Sequence, residues 1–187
     1  MAIELSKGER VTLQRGLKNI TLGLGWDPNE GTGHDFDLDA SAFMLNTNGK
    51  IPKDEYFIYY NNMFSPDGSV EGAEDDLTGG ASDGGDDEEI KVNLAKVSHD
   101  IEEIVFVVTI HDFEARKQNF GQVRNSYIRI VNTDSNEEIM KYELDEDYSI
   151  ETAVEFARLY RRGEEWKFEA MGKGYDKGLE YFVNKYN

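Results

Sequence analysis

Apolar and polar positions alternate in short runs along the first three quarters of the chain, with the period of two that marks strands. Ile20–Trp26 is apolar with interleaved glycines, Phe36–Leu45 alternates, and Tyr56–Tyr60 is aromatic and β-prone. Ile104–Ile110 is a continuous β-branched run, the pattern of a central strand buried on both faces. Tyr127–Val131 and Glu138–Leu144 flank an Asn-Thr-Asp-Ser-Asn segment and read as a hairpin, and Asn48-Gly49 marks another tight turn. Two helices are predicted near the C-terminus. One follows the cap candidate Ser149, with Ile150, Ala153, Val154, Ala157 and Tyr160 on a face and Gly163 as its stop. The other spans Leu179–Tyr186, with Leu179, Phe182, Val183 and Tyr186 on one side, and the strand Trp166–Ala170 lies between them. Many short strands joined by Gly, Asn and Asp turns predict a mainly β protein, a two-sheet β-sandwich with a few short helices, chiefly toward the C-terminus. With neither an internal repeat nor a linker, 187 residues predict a single domain over 1–187.

Charge changes this picture most. The net charge is −18, and two stretches free of Lys and Arg carry nearly all of it: residues 19–49 with five acids and residues 54–90 with twelve. Residues 65–89 read as one long loop holding six of the 18 glycines and ten acids. So acidic a chain is a poor match for the phosphate backbone, which predicts no nucleic-acid partner. The absence of cysteine excludes a disulfide framework, a thiolate metal site and a cysteine nucleophile. No apolar run is long enough for a membrane span and the first residues lack a signal-peptide core, so the expected location is cytoplasmic.

The sharpest motif is Asp35-Phe-Asp-Leu-Asp-Ala-Ser41. In a strand, Asp35, Asp37, Asp39 and Ser41 share one face while Phe36, Leu38 and Ala40 take the other. Three carboxylates in a row repel one another, and neighbouring sequence supplies no cation. A bound metal or a solvated face would answer this. Oxygen-only ligands suit Ca²⁺ or Mg²⁺, and several carboxylates beside glycine-rich loops suit Ca²⁺ better. The segment is no EF-hand: with Asp35 as position 1, position 6 is Ala40 and position 12 is Asn46, where such a loop needs Gly and Glu. Other ligands must therefore come from separate segments: Asp75 and Asp76, Asp86, Asp87 and Glu88, and the amides of Asn61 and Asn62. For the asparagines a plain strand-end turn is an equal alternative. The histidines are scattered, and no nucleophile elbow, P-loop or Rossmann pattern appears, so an enzyme is not predicted.

Several of these segments together resemble the tellurium-resistance, TerD-like family of bacterial stress proteins. The resemblance runs through Leu22-Gly-Leu-Gly-Trp-Asp27, Asp35-Phe-Asp-Leu-Asp-Ala-Ser-Ala-Phe43, Tyr59-Tyr-Asn-Asn62, Asp67-Gly-Ser-Val70, Gly84-Gly-Asp-Asp-Glu88, Phe120-Gly-Gln-Val123 and Glu165-Trp-Lys-Phe168, in unbroken order. It implies a cytosolic β-sandwich that binds calcium as two ions and is associated with resistance to tellurite and other chemical damage. Carried over by position, the implied ligands are Asp37, Asp39, Asn61, Asn62, Asp75, Asp86, Asp87 and Glu88, with Asp27 and Asp35 as further members and Asp76 beside them. Two departures bear on the ligand set. The run before Leu77-Thr-Gly79 is Glu74-Asp75-Asp76, where the family often has Gly-Asp-Asn, and the Gly79–Gly85 loop is slightly longer. The function expected is that of a non-enzymatic, calcium-ordered docking module whose partners are proteins of a stress-response complex. The alternative is calcium-dependent binding to an anionic membrane surface, for which Met63-Phe64 is the apolar handle.

Overall fold

A computed structural model describes residues 3–72, 85–144 and 149–187. Its strands form two six-stranded sheets packed face to face. The first sheet has the order β1 (Ile3–Glu4), β10 (Glu137–Glu143), β9 (Tyr127–Asn132), β3 (Asn19–Gly25), β7 (Glu88–Asn93) and β6 (Val70–Gly72). The second runs β2 (Arg10–Thr12), β12 (Glu165–Tyr175), β11 (Ala153–Arg162), β8 (Glu103–Ile110), β4 (Leu38–Leu45) and β5 (Phe57–Ile58). The pairings are antiparallel except β1 with β10. Helix α1 (Phe113–Arg116) follows β8, and α2 (Leu179–Tyr186) ends the chain.

Alternation along the strands builds two apolar layers. Leu22, Leu24, Ile90 and Ile130 of the first sheet meet Leu38, Ala42, Phe106 and Phe156 of the second between the sheets. The opposite face of the second sheet is also covered, because Phe43, Leu45, Val105 and Val107 pack beneath Phe182 and Tyr186 of α2. This second layer explains why β8 reads as a continuous apolar run. The predicted face of α2 is the one that docks, with Leu179 and Val183 at its margin.

Three expectations are corrected. Residues 153–162 are strand β11, not a helix. A bulge between Glu155 and Ala157 breaks the period of two, so Phe156 and Ala157 both join the inter-sheet core with Val154 and Leu159. That slip produces the apolar spacing that imitates a helix, and burial between β8 and β12 decides for strand. Gly163, at φ +65°, forms the β11–β12 turn rather than a helix stop. The loop expected over residues 65–89 contains β6 and the first residues of β7. Asp67 organises the turn before β6: its carboxylate accepts from the Ser65 and Ser69 hydroxyls and from the Ser69 and Ser98 amides. Burial opposes ionisation there, but those hydrogen bonds outweigh it and hold Asp67 below the usual carboxylate range. Finally, Tyr56–Tyr60 contributes only the short β5, ending in a Tyr59–Asn62 turn.

Helix α2 is locked by charge as well as by apolar packing. Glu155 is fully buried, and its carboxylate accepts from Lys185 and from the Tyr175 and Tyr186 hydroxyls. Lys50 donates to the carbonyls of Lys185 and Asn187, satisfying the helix end. Burial and then the Glu155 carboxylate push both tyrosines above their ordinary value; for Lys185 burial works the other way, but Glu155 prevails and raises it too. All three therefore bind their protons more tightly folded than unfolded. The stability they supply is complete below about pH 10 and is lost as pH rises beyond it. Tyr186→Phe should cost about 1.5–3 kcal/mol at neutral pH in urea denaturation. It should also make the melting temperature fall less steeply above about pH 10, and an unchanged alkaline slope would count against this assignment.

Candidate functional site

The acidic segments meet where four strand ends converge. Pairing of Leu24 with Glu88 sets the end of β3 beside the start of β7, and pairing of Leu38 with Ile110 sets the start of β4 beside the end of β8. Two contacts tie these ends across the sandwich. The Ala40 amide donates to Glu88 Oε2 at 2.6 Å, and Trp26 Nε1 donates to the Phe36 carbonyl at 3.1 Å. Among the described residues the edge of β4 has no strand neighbour at Ala40 beyond β5, and the Glu88 carboxylate takes the place of a ladder acceptor. Asp87 does the same for β3, accepting from the Trp26 amide at 2.9 Å while its own amide donates to the Leu24 carbonyl.

Asp37, Asp39 and Glu88 are buried, at 5%, 6% and 9% exposure. Asp39 and Ser41 share the outer face of β4, but the polar stripe stops there because Phe43 and Leu45 continue it under α2. Asp37 Oδ2 lies 3.6 Å from Arg116 Nη1, and Asp39 Oδ2 lies 3.6 Å from His111 Nδ1. Arg116 of α1 thus supplies part of the positive charge that neighbouring sequence lacks. Arg116 and His111 are contributors that sequence reasoning missed, because their nearness to β4 exists only once β8 pairs with it.

The other expected residues separate. Asp86 turns onto the outer face of the first sheet, where it accepts from Arg129 Nε at 2.8 Å and the Tyr127 hydroxyl at 3.0 Å. Gly23 makes room for it: a Cβ there would lie 2.0 Å from Asp86 Oδ2. Burial alone would depress Arg129, but the hydrogen bond and charge of Asp86, then Glu138, hold it above its ordinary value. Tyr127 is raised by burial and then by Asp86. Asp27 is exposed and accepts from Asn125; Asp35 is exposed, with its carbonyl held by Gln118. Asn61 is exposed in the turn, and Asn62 spends its amide N–H groups on the Glu55 and Phe57 carbonyls. Asp75 and Asp76 lie outside the described residues. Among the described residues no group of three or more His, Asp or Glu side chains is arranged to hold a metal ion.

The model of the TerD domain matches residues 1–186. The chain belongs to the TerD family. General stress protein 16U of Bacillus subtilis (strain 168) is 50% identical over 190 residues, covering all of this chain and 97% of the relative. The tellurium resistance protein TerD of Serratia marcescens is 49% identical over 189 residues, again covering all of this chain and 97% of the relative. A crystal structure of a homologue of the telluride resistance protein from Streptomyces coelicolor A3(2) superposes with a TM-score of 0.75, covering 90% of this chain and 96% of that one. At 23% identity it shows that the two-sheet architecture is the TerD fold. Among the described residues no helix is long and apolar enough to cross a membrane. In this TerD-family chain the acidic segments therefore do two different things. Asp37, Asp39, Asp87 and Glu88 gather at the strand ends, whereas Asp86 is neutralised on an outer face.

Proposed function

We propose that this TerD-family chain is a non-enzymatic calcium-binding protein of the stress response, associated with resistance to tellurite and other chemical damage. Calcium at the acidic end orders a surface on which protein partners dock. The observation that carries the reading is that Asp37 and Asp39, from the second sheet, sit with Asp87 and Glu88, from the first, at one tied end of the sandwich. Hard carboxylate oxygens from separate segments suit Ca²⁺, which accepts six to eight oxygen ligands in flexible geometry. A bound ion would supply charge neutralisation and a rigid link between the sheets. Asp75 and Asp76 belong to the same acidic stretch and are proposed as the remaining carboxylates, alongside the carbonyl oxygens of Asn61 and Asn62. The chain itself has no thiol with which to reduce or chelate tellurite, which favours an indirect role in resistance.

A second reading, calcium-dependent attachment to anionic membranes, draws support from the turn beside this end. Tyr60 and Phe64 flank Asn61 and Asn62 and are 45% and 64% exposed, apolar surface suited to insertion among lipid headgroups. Calcium-dependent co-sedimentation with phosphatidylserine vesicles that Phe64→Ala abolishes would favour the membrane, and no co-sedimentation would favour protein docking.

Calorimetric titration tests the ion directly. Asp37→Asn and Asp39→Asn should each weaken calcium binding by about tenfold or more, equivalent to at least about 1.4 kcal/mol. Glu137→Gln, on the exposed β9–β10 hairpin, should leave it unchanged. Wild-type affinity in both aspartate variants would overturn the reading, as would equal affinity for Mg²⁺.

A further inference from the structure

Beside the acidic end lies a cleft of about 650 Å³ whose charge is opposite to the chain's. One wall is the loop from Asp27 to His34 after β3; the other is the segment from α1 to Asn125. Arg116, Lys117 and Arg124 border it, against Asp27 and Glu30. A local excess of cations is a concentrated departure on a molecule of net charge −18. Asp27 is engaged by Asn125, and Arg116 reaches Asp37 only at 3.6 Å. Among the described residues the Lys117 and Arg124 side chains, both exposed, make no ion pair.

The two walls are tied to each other by a buried amide. Gln118 is buried at 6% exposure and donates through Nε2 to the carbonyls of His34 and Asp35, at 2.8 and 3.1 Å. Those two acceptors fix the amide orientation, since a flipped amide would set oxygen against both carbonyls. Gln118 lines the cleft, and among the described residues its buried Oε1 has no hydrogen-bond partner. Lys117 and Asn125 both have left-handed backbone, at φ +53° and +52°, a conformation that side chains seldom adopt and that clusters at ligand clamps. Asn29 shapes the facing loop by donating to the His34 carbonyl and accepting from the Gly31 amide.

The geometry points to a binding site for a small phosphorylated metabolite, its phosphate met by Lys117, Arg124 and Arg116 and a hydroxyl or protonated oxygen donated to Gln118 Oε1. Guanidinium and ammonium groups match phosphate oxygens in charge and hydrogen-bonding geometry. The volume exceeds that of a lone phosphate and falls among small-molecule sites, which favours an organic phosphate over the free ion. The partnerless acceptor adds a selection rule: hydrogen phosphate brings a proton to donate, whereas sulfate, of the same shape, brings none at neutral pH.

Amide chemical-shift titrations of the full chain with glycerol 3-phosphate, inorganic phosphate and sulfate test this. They are run free of divalent cations, so that failure here leaves the calcium reading untouched. Saturable shifts at residues 27–34 and 116–125 are expected with glycerol 3-phosphate, weaker ones with inorganic phosphate and weakest with sulfate. Lys117→Ala combined with Arg124→Ala should weaken glycerol 3-phosphate binding by about tenfold or more, while Lys173→Ala should not. Both cleft positions are exposed, so the double variant should keep the wild-type melting temperature. Non-saturating shifts, shifts centred elsewhere, or full affinity in the double variant would overturn the site. Sulfate binding as tightly as phosphate would overturn the role of Gln118.

Discussion

Carboxylates that leave water must find hydrogen-bond donors or positive charge, and the acidic end of this sandwich is arranged around that requirement. Glu88 and Asp87 find backbone amides, those of Ala40 and Trp26. By doing so they close two strand ends that have no ladder partner there among the described residues, and Glu88 binds the two sheets to each other. Asp37 lies 3.6 Å from the Arg116 guanidinium and Asp39 lies 3.6 Å from the His111 imidazole. Removing a carboxylate here would leave an amide unsatisfied; adding a cation would relieve the crowding. The same groups thus serve the fold and the proposed ion site.

The far face of the second sheet meets the same requirement differently. Glu155 is as deeply buried as any acid in the molecule, yet Lys185 and two tyrosines surround it, all reached when α2 docks. That acid is compensated by the chain itself, and its role is to fix the C-terminal helix. Asp86 belongs to the same class, held by Arg129 and Tyr127 over Gly23. Acidity alone therefore does not mark an ion site; what sets Asp37 and Asp39 apart is their place at the strand end that Glu88 ties to the first sheet.

Much of this was legible in the sequence. The β3, β4, β8, β9 and β10 segments and α2 stand out because each is an apolar run, an alternation or a helical face bounded by clear turn residues, and the family resemblance runs along the chain. Strand β11 was not legible, because one bulge shifts its alternation and imitates a helical face. Strands β1, β2, β6 and β7 escaped notice for another reason: they are short or lie among acids and glycines, and cross-strand pairing rather than local pattern makes them strands. For the site, Asp37, Asp39, Asp87 and Glu88 were readable as an acidic set. Their partners were not, since Arg116, His111 and Ala40 become neighbours only through sheet pairing and inter-sheet packing.

The central claim is that one ion acts on both sheets at once. Amide hydrogen exchange, with and without saturating calcium, measures this most directly, because protection reports local opening segment by segment. The account predicts that calcium slows exchange together at residues 36–41, from the second sheet, and at residues 86–90, from the first, while residues 153–162 stay unchanged. Protection confined to one of the two segments, or no calcium-dependent protection in either, would contradict it.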